Sequence, residues 1–271
     1  MKLNLQIAKE TLKVVVLGLI AIAILVGGGI WLSWYWGQQP KSCNVAVSHL
    51  YGPVVYYPNE GGNASDTLDQ TAAEDIRQQI ETADADPNIK AILLQIDSPG
   101  GDLVAGEDIA EALKHATKPT VALIADEGDS AAYLAATGAQ KIFAYANSLL
   151  VDIGVTQSYL NRTKQDEQNG LTFIPLTAGK YKDAGNPDAP LTPEEKALFQ
   201  RNLDIEMKNF ISAVAENRNL SVASVTAIAD GSTMLGQMAL NDGLIDKIGN
   251  IYDVENFLKG KIGDDVTLCQ N

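Results

Sequence analysis

Two short runs, Ile89–Ile96 (IKAILLQI) and Thr120–Ala125 (TVALIA), are apolar almost without a break. A strand with one wet face alternates polar and apolar residues. A strand apolar at nearly every position is buried on both faces, as in parallel sheets covered by helices. Each run leads into a turn sequence and then into helical spacing. Ser98-Pro99-Gly100-Gly101 precedes a helix expected from about Leu103 to Ala116, with Leu103, Ile109 and Leu113 on one side. Gly128-Asp129-Ser130 is expected to be a turn, followed by a helix over Ala131–Thr137 that Gly138 stops. Val45–Leu50 before these, and Ile142–Ala144 and Leu149–Val151 after them, read as further strands. Strand and helix in this alternation form a βαβ series with a mostly parallel sheet.

The remaining elements follow the same logic. Thr71–Asp84 has helical spacing through Ile76 and Ile80, and Gly61-Gly62-Asn63 marks a loop. Thr172–Leu176 is expected to be a strand. Thr192-Pro193-Glu194-Glu195 is a helix start, with Thr as N-cap, Pro at the first position and Glu at the third. That helix should run to about Asn217, with shorter ones at 221–229, 236–241 and 251–258.

Ahead of all this, Val14–Trp36 is 23 residues without a charge. As a helix it would span about 34 Å, enough to cross the hydrocarbon of a bilayer. Trp31, Trp34, Tyr35 and Trp36 cluster at its far end like an interfacial aromatic belt, and Lys2, Lys9 and Lys13 precede it. The expected organisation is a cytoplasmic tail (1–13), a transmembrane anchor in the lipid bilayer (14–36), a linker (37–44) and an extracytoplasmic domain (45–271). A cleaved signal peptide is the rival, but the apolar run is long for one and no small-x-small site follows it. The net charge of −14 then divides into +2 over residues 1–39 and −16 over the rest. So acidic a domain does not suit phosphate contact, and nucleic acid is not an expected partner. Two His, His49 and His115, and two Cys, Cys43 and Cys269, are too few for a metal centre built on those residues. No cofactor or metal is expected. The two Cys lie near the two ends of the exported part; they could pair there, or stand as two thiols.

Three segments could carry chemistry. Ser130 stands between a buried strand and a helix, where its hydroxyl would project at a sheet edge and the N–H of Ala131 could face a developing oxyanion. Taken alone, it reads first as an ordinary N-cap serine, the commoner role for Ser in this context. Gly100-Gly101 lets a backbone approach a ligand closely, or is a plain turn between strand and helix. Neighbouring strand ends of a parallel sheet lie side by side, so the two loops could meet. A serine nucleophile needs a base, and neither His49 nor His115 is well placed. Lysine can serve when its pKa is lowered, and Ala178-Gly179-Lys180-Tyr181-Lys182-Asp183 offers two, or two solvated side chains.

Together these segments resemble the signal peptide peptidase A (protease IV) family of the Clp protease and crotonase superfamily. The resemblance rests on Asp97-Ser98-Pro99-Gly100-Gly101, the Ser130 turn and helix, Asp152-Ile153-Gly154-Val155 and Gly179-Lys180-Tyr181-Lys182-Asp183. It continues through Leu191-Thr192-Pro193-Glu194-Glu195 and Ala239-Leu240-Asn241-Asp242-Gly243-Leu244-Ile245-Asp246. It implies an α/β, Clp protease/crotonase-like fold of repeated ββα/βαβ units behind one N-terminal transmembrane helix. It implies a membrane-anchored serine endopeptidase with a Ser-Lys dyad: Ser130 as nucleophile and Lys182 as base, with Lys180 the second candidate. Gly100, Gly101 and Ala131 would form the oxyanion hole, Gly100 more than Gly101. Substrates would be remnant signal peptides or other apolar peptides, cleaved at the outer face of the cytoplasmic membrane. A ring-shaped homo-oligomer is expected, in some relatives with serine and lysine drawn from neighbouring protomers. The chain departs from the family at Ala131-Ala132, where Gly-Gly is usual, and at Asp188-Ala189, where an Arg is common. A crotonase-type acyl-CoA enzyme and an inactive membrane scaffold of the same fold are the alternatives.

Overall fold

The computed structural model describes residues 24, 26–28, 43–57 and 70–269. The chain divides into Met1–Ser42 and Cys43–Asn271. Residues 24 and 26–28 are helical. Apart from these four, the expected anchor over 14–36 lies outside the described residues, as do the Gly61-Gly62-Asn63 loop and the 1–13 tail. Among the described residues no helix is long and apolar enough to cross a membrane.

In the second unit a seven-stranded sheet carries the order β1 (Val45–Tyr51), β4 (Ala91–Ser98), β5 (Thr120–Asp129), β6 (Lys141–Ala144) and β9 (Lys247–Ile248). All these pairs are parallel. β7 (Leu149–Val151) runs parallel beside the far end of β5, and β8 (Thr233–Leu235) closes antiparallel on β7. A second, two-stranded parallel sheet joins β2 (Val54–Val55) to β3 (Thr71–Ala72).

The helices are α1 (Ala73–Ala85), α2 (Leu103–His115), α3 (Ser130–Thr137), α4 (Thr163–Gln168), α5 (Pro193–Arg218), α6 (Val222–Ile228), α7 (Gly236–Asn241) and α8 (Ile251–Ile262). The doubly buried strands behave as their composition requires. On β4, Ile92, Leu94 and Ile96 join the core shared with α1, α2, α3 and α5. Leu93 and Ala91 join the opposite core with Val254 and Leu258 of α8. Burying a side chain of this size contributes about 1.5–3 kcal/mol.

The helix starts are chemical. Asp102 caps α2 through Val104 N–H at 2.9 Å. Thr192 and Glu195 form the reciprocal capping box that the sequence spells. Asn250 and Asp253 form another on α8, which Gly263 ends in the left-handed conformation.

Two local expectations need correction. Gly128-Asp129-Ser130 is not a turn: β5 runs through Asp129 and α3 begins at Ser130. Gly138 caps α3 as expected, at φ −71°. Its glycine is needed for space, because a Cβ would lie 2.1 Å from Ala110 O on α2. Thr172–Leu176 is not a strand. The run is exposed throughout, Leu176 to 95%, and no β-ladder among the described residues includes it.

Cys43 and Cys269 form a disulfide with Cα atoms 5.0 Å apart across 226 residues of sequence. It sits beside a backbone pairing of the chain's end with β1, in which Cys269 N–H donates to Val45 O at 2.9 Å. Closing so long a loop stabilises the fold by about 5 kcal/mol in the chain-entropy picture.

Candidate active site

β4 and β5 deliver the chemistry to one edge, because parallel neighbours end on the same side. Ser98 at the end of β4 stands opposite Gly128 near the end of β5. Beyond β4, Gly100 and Gly101 take φ +92° and +154°. Gly101 is clamped by β2: Val54 N–H donates to Gly100 O at 2.8 Å, and Asp102 N–H to Val54 O at 2.9 Å. The buried Ser98 hydroxyl fixes the loop from beneath, donating to Gly52 O at 2.6 Å and accepting from Gly100 N–H at 3.1 Å.

Gly100 lies directly against the serine. A Cβ there would stand 2.7 Å from Asp129 O, 2.8 Å from Ser130 Cβ and 3.1 Å from Ala131 N. Ser130 itself has φ +51° as the first residue of α3. A non-glycine residue in that region is strained by about 1–3 kcal/mol, and such strain collects at reactive positions. As the second residue of the helix, Ala131 presents an N–H with no partner inside it. The helix is seated firmly. Tyr133 Oη donates to Leu244 O at 2.8 Å, and Gly106 of α2 comes so close that its Cβ would lie 2.3 Å from Ala131 O. Ala131 and Ala132 are fully buried there. Small residues therefore satisfy this packing where the family usually has Gly-Gly.

Ser130 opens on a cavity of about 610 Å³, also lined by Gly101, Asp152, Gly154, Met207 and Asp230. Neither histidine lines it. His49 stacks on Tyr51 and meets its hydroxyl at 2.9 Å, and His115 Nδ1 lies 2.8 Å from Glu111 O at the end of α2. The structure thus brings Ser130, Gly100, Gly101 and Ala131 together. Lys182 is elsewhere: it is exposed, in a turn closed by its own N–H to Gly179 O at 3.1 Å, and it does not line the cavity. Lys180 Nζ lies 4.9 Å from the Tyr181 ring centroid, and the hydrogen bond to Tyr181 holds its pKa above the usual lysine value. Asp188, standing where the family has an Arg, makes its own ion pair with Arg162 at 2.8 Å. The late motif is structural. Asp246 accepts from Lys141 Nζ, Ile142 N–H and Arg218 Nη1, tying α5 to β6.

The sequence gives no sign that Asp129 is buried. It is only 4% exposed, and its Oδ1 has no hydrogen-bond partner. Burial pushes its pKa up to about 7, helped by a hydrogen bond and repulsion from Glu127 and by repulsion from Asp152. An unfolded aspartate releases its proton near 3.8. Between these values the folded chain keeps a proton that the unfolded chain has lost, so stability falls as pH rises through the window. Asp129→Asn should therefore melt like the parent at pH 4 and be more stable at pH 8, by roughly 2–4 kcal/mol. Parallel melting-temperature profiles from pH 4 to 8 would refute this.

The profile of peptidase family S49 matches residues 112–263, and that described as Clp protease matches 63–156. A Methanocaldococcus jannaschii protein, provisionally named a protease, is 31% identical over 214 residues, 77% of this chain and 68% of its own length. An Enterococcus faecium protein, provisionally named a signal peptide peptidase, is 30% identical over 67% of this chain and 54% of its own length. A chloroplastic serine protease of Arabidopsis thaliana is 31% identical over 66% of this chain and 27% of its own. The chain thus spans about half of the second relative and about a quarter of the third.

Proposed function

The chain belongs to peptidase family S49, and from that premise we propose that it is a serine endopeptidase in which Ser130 is the nucleophile and Lys182 the general base. The observation that carries this reading is Ser130 itself: a strained serine at a helix start, on a cavity, with a glycine backbone pressed against it. Lys182 takes the hydroxyl proton as Ser130 Oγ attacks the scissile carbonyl carbon. The resulting oxyanion is met by N–H groups of the Gly100–Gly101 loop and of Ala131. Gly101 is the better placed of the two glycines, since it lines the cavity while Gly100 N–H is already donated to Ser98. Lys182 returns the proton to the leaving amine, and water then releases the acyl group.

Because Lys182 is exposed and off the cavity, the lysine of each site is assigned to a neighbouring copy in a ring. The exposed Leu171, Ile174, Leu176 and Tyr181, which precede it in the sequence, support a contact surface there. Residues 14–36 would tether the assembly to the cytoplasmic membrane with the protease domain outside, and the disulfide suits that oxidising side. Remnant signal peptides or similar apolar peptides are the proposed substrates.

A fluorophosphonate probe tests the nucleophile. It should label the wild-type protein and fail to label Ser130→Ala. Equal labelling of both would sink the assignment.

A further inference from the structure

The cavity on which Ser130 opens has an unusual charge. Asp152 and Asp230 line it, and among the described residues no Lys, Arg or His does. Among the described residues Asp152 accepts no hydrogen bond and meets no cation, and burial raises its pKa. Its Oδ1 stands beside two glycines, 3.7 Å from where a Gly154 Cβ would be and 3.8 Å from that of Gly231. No side chain at either position fills the space in front of it. Asp230 is held ionised, its carboxylate accepting from the Ser232 hydroxyl at 2.6 Å and the Ser232 N–H at 2.9 Å. Behind Ser130, the buried Asp129 keeps one oxygen unpartnered, and it is close enough to Asp152 for the two carboxyls to repel.

The backbone is strained to hold this arrangement. Val151, fully buried, has φ +91°, and Asp152 has φ +42°. A β-branched residue at positive φ is a genuine outlier. Two successive residues of this kind persist only where their surroundings enforce them. An unpaired, partly buried carboxylate such as Asp152 is destabilising alone, and a cation beside it relieves both its desolvation and its repulsion from Asp129.

We infer that Asp152, seconded by Asp230, is a specificity-determining residue that receives a cationic side chain, Lys or Arg, of the peptide segment lying next to the scissile bond. The inference rests on Ser130 being the nucleophile. It adds to an apolar substrate the requirement of a basic residue placed to enter the Ser130 cavity. Arginine fits best where a carboxylate can be met in two-pronged fashion, and lysine where only a point charge is needed.

Two fluorogenic peptides that differ in one residue, Arg or Leu immediately before the cleaved bond, test it on the full chain. Wild type should favour the Arg peptide by about tenfold or more in kcat/KM, and Asp152→Asn should cut that ratio about tenfold. Asp152→Glu should restore part of it. The non-cleaving Ser130→Ala chain gives a second reading. It should bind the Arg peptide more tightly than the Leu peptide, a difference that disappears in Ser130→Ala/Asp152→Asn. A wild-type preference for Leu, or a ratio unmoved by Asp152→Asn, overturns the inference even when the fluorophosphonate still labels Ser130. Loss of labelling with the binding difference intact would instead fault the nucleophile and leave the cation site standing.

Discussion

Ser130→Ala and Lys182→Ala will each lower kcat by about 10⁴-fold or more, and the double variant will be scarcely worse than either, because nucleophile and base act as one unit. The two inactive chains, mixed under conditions that let subunits exchange, will then recover activity. The reason is spatial. Ser130 opens on a cavity that Lys182 does not line, and Lys182 sits on an exposed turn. If each site draws its lysine from the next copy, a Lys182→Ala chain supplies the intact serine and a Ser130→Ala chain the intact lysine. Random mixing makes about a quarter of the sites competent. The measurement is peptide cleavage by the refolded mixture, with mass determination proving that mixed oligomers formed. Mixed oligomers without activity would place the base within the same chain as its serine.

The second large effect concerns a residue with no side chain. Gly100→Ala will lower kcat/KM by about 10²–10³-fold, the size of effect seen when an oxyanion donor or a reacting group is displaced. Two penalties coincide at this position. At φ +92° any L side chain is strained, and the added methyl would overlap Asp129 O, Ser130 Cβ and Ala131 N. Two of those three atoms belong to backbone that α3 and β5 hold fast, so Ser130 must move instead. Gly170→Ala separates the two penalties. Gly170 also has positive φ, +72°, but nothing lies within 4 Å of its would-be Cβ. It should lose about 1 kcal/mol of stability and keep its kcat/KM. Similar kinetics for the two variants would mean that crowding against Ser130 is not what Gly100 prevents.

The contrast between these glycines shows what a sequence can and cannot reveal. The doubly buried strands, the helix after Pro99-Gly100-Gly101 and the Thr192 capping box are local statements, carried by short stretches whose chemistry allows few outcomes. They hold in the structure to within a few residues at their ends. Thr172–Leu176 reads as a strand in the sequence, but a short stretch by itself does not supply a neighbour to bond to. Gly128-Asp129-Ser130 looks like a turn by composition, yet β7 pairs with Glu127–Asp129 and draws the strand onward. At the site, Ser130 and the two glycines were legible because each lies in a compact motif. Asp152 lay inside a recognised motif, but its unpaired carboxylate depends on where Gly154 and Gly231 meet. Asp129 gave no signal, since its burial comes from several elements closing over it at once.

The disulfide has a mechanical consequence. Tension applied to the chain ahead of Cys43 would otherwise act first on β1, peeling its hydrogen bonds from β4 one at a time. With Cys43 joined to Cys269, the pull is shared with the C-terminal segment that brackets Val45. The ladder is then loaded as a whole rather than unzipped from its end.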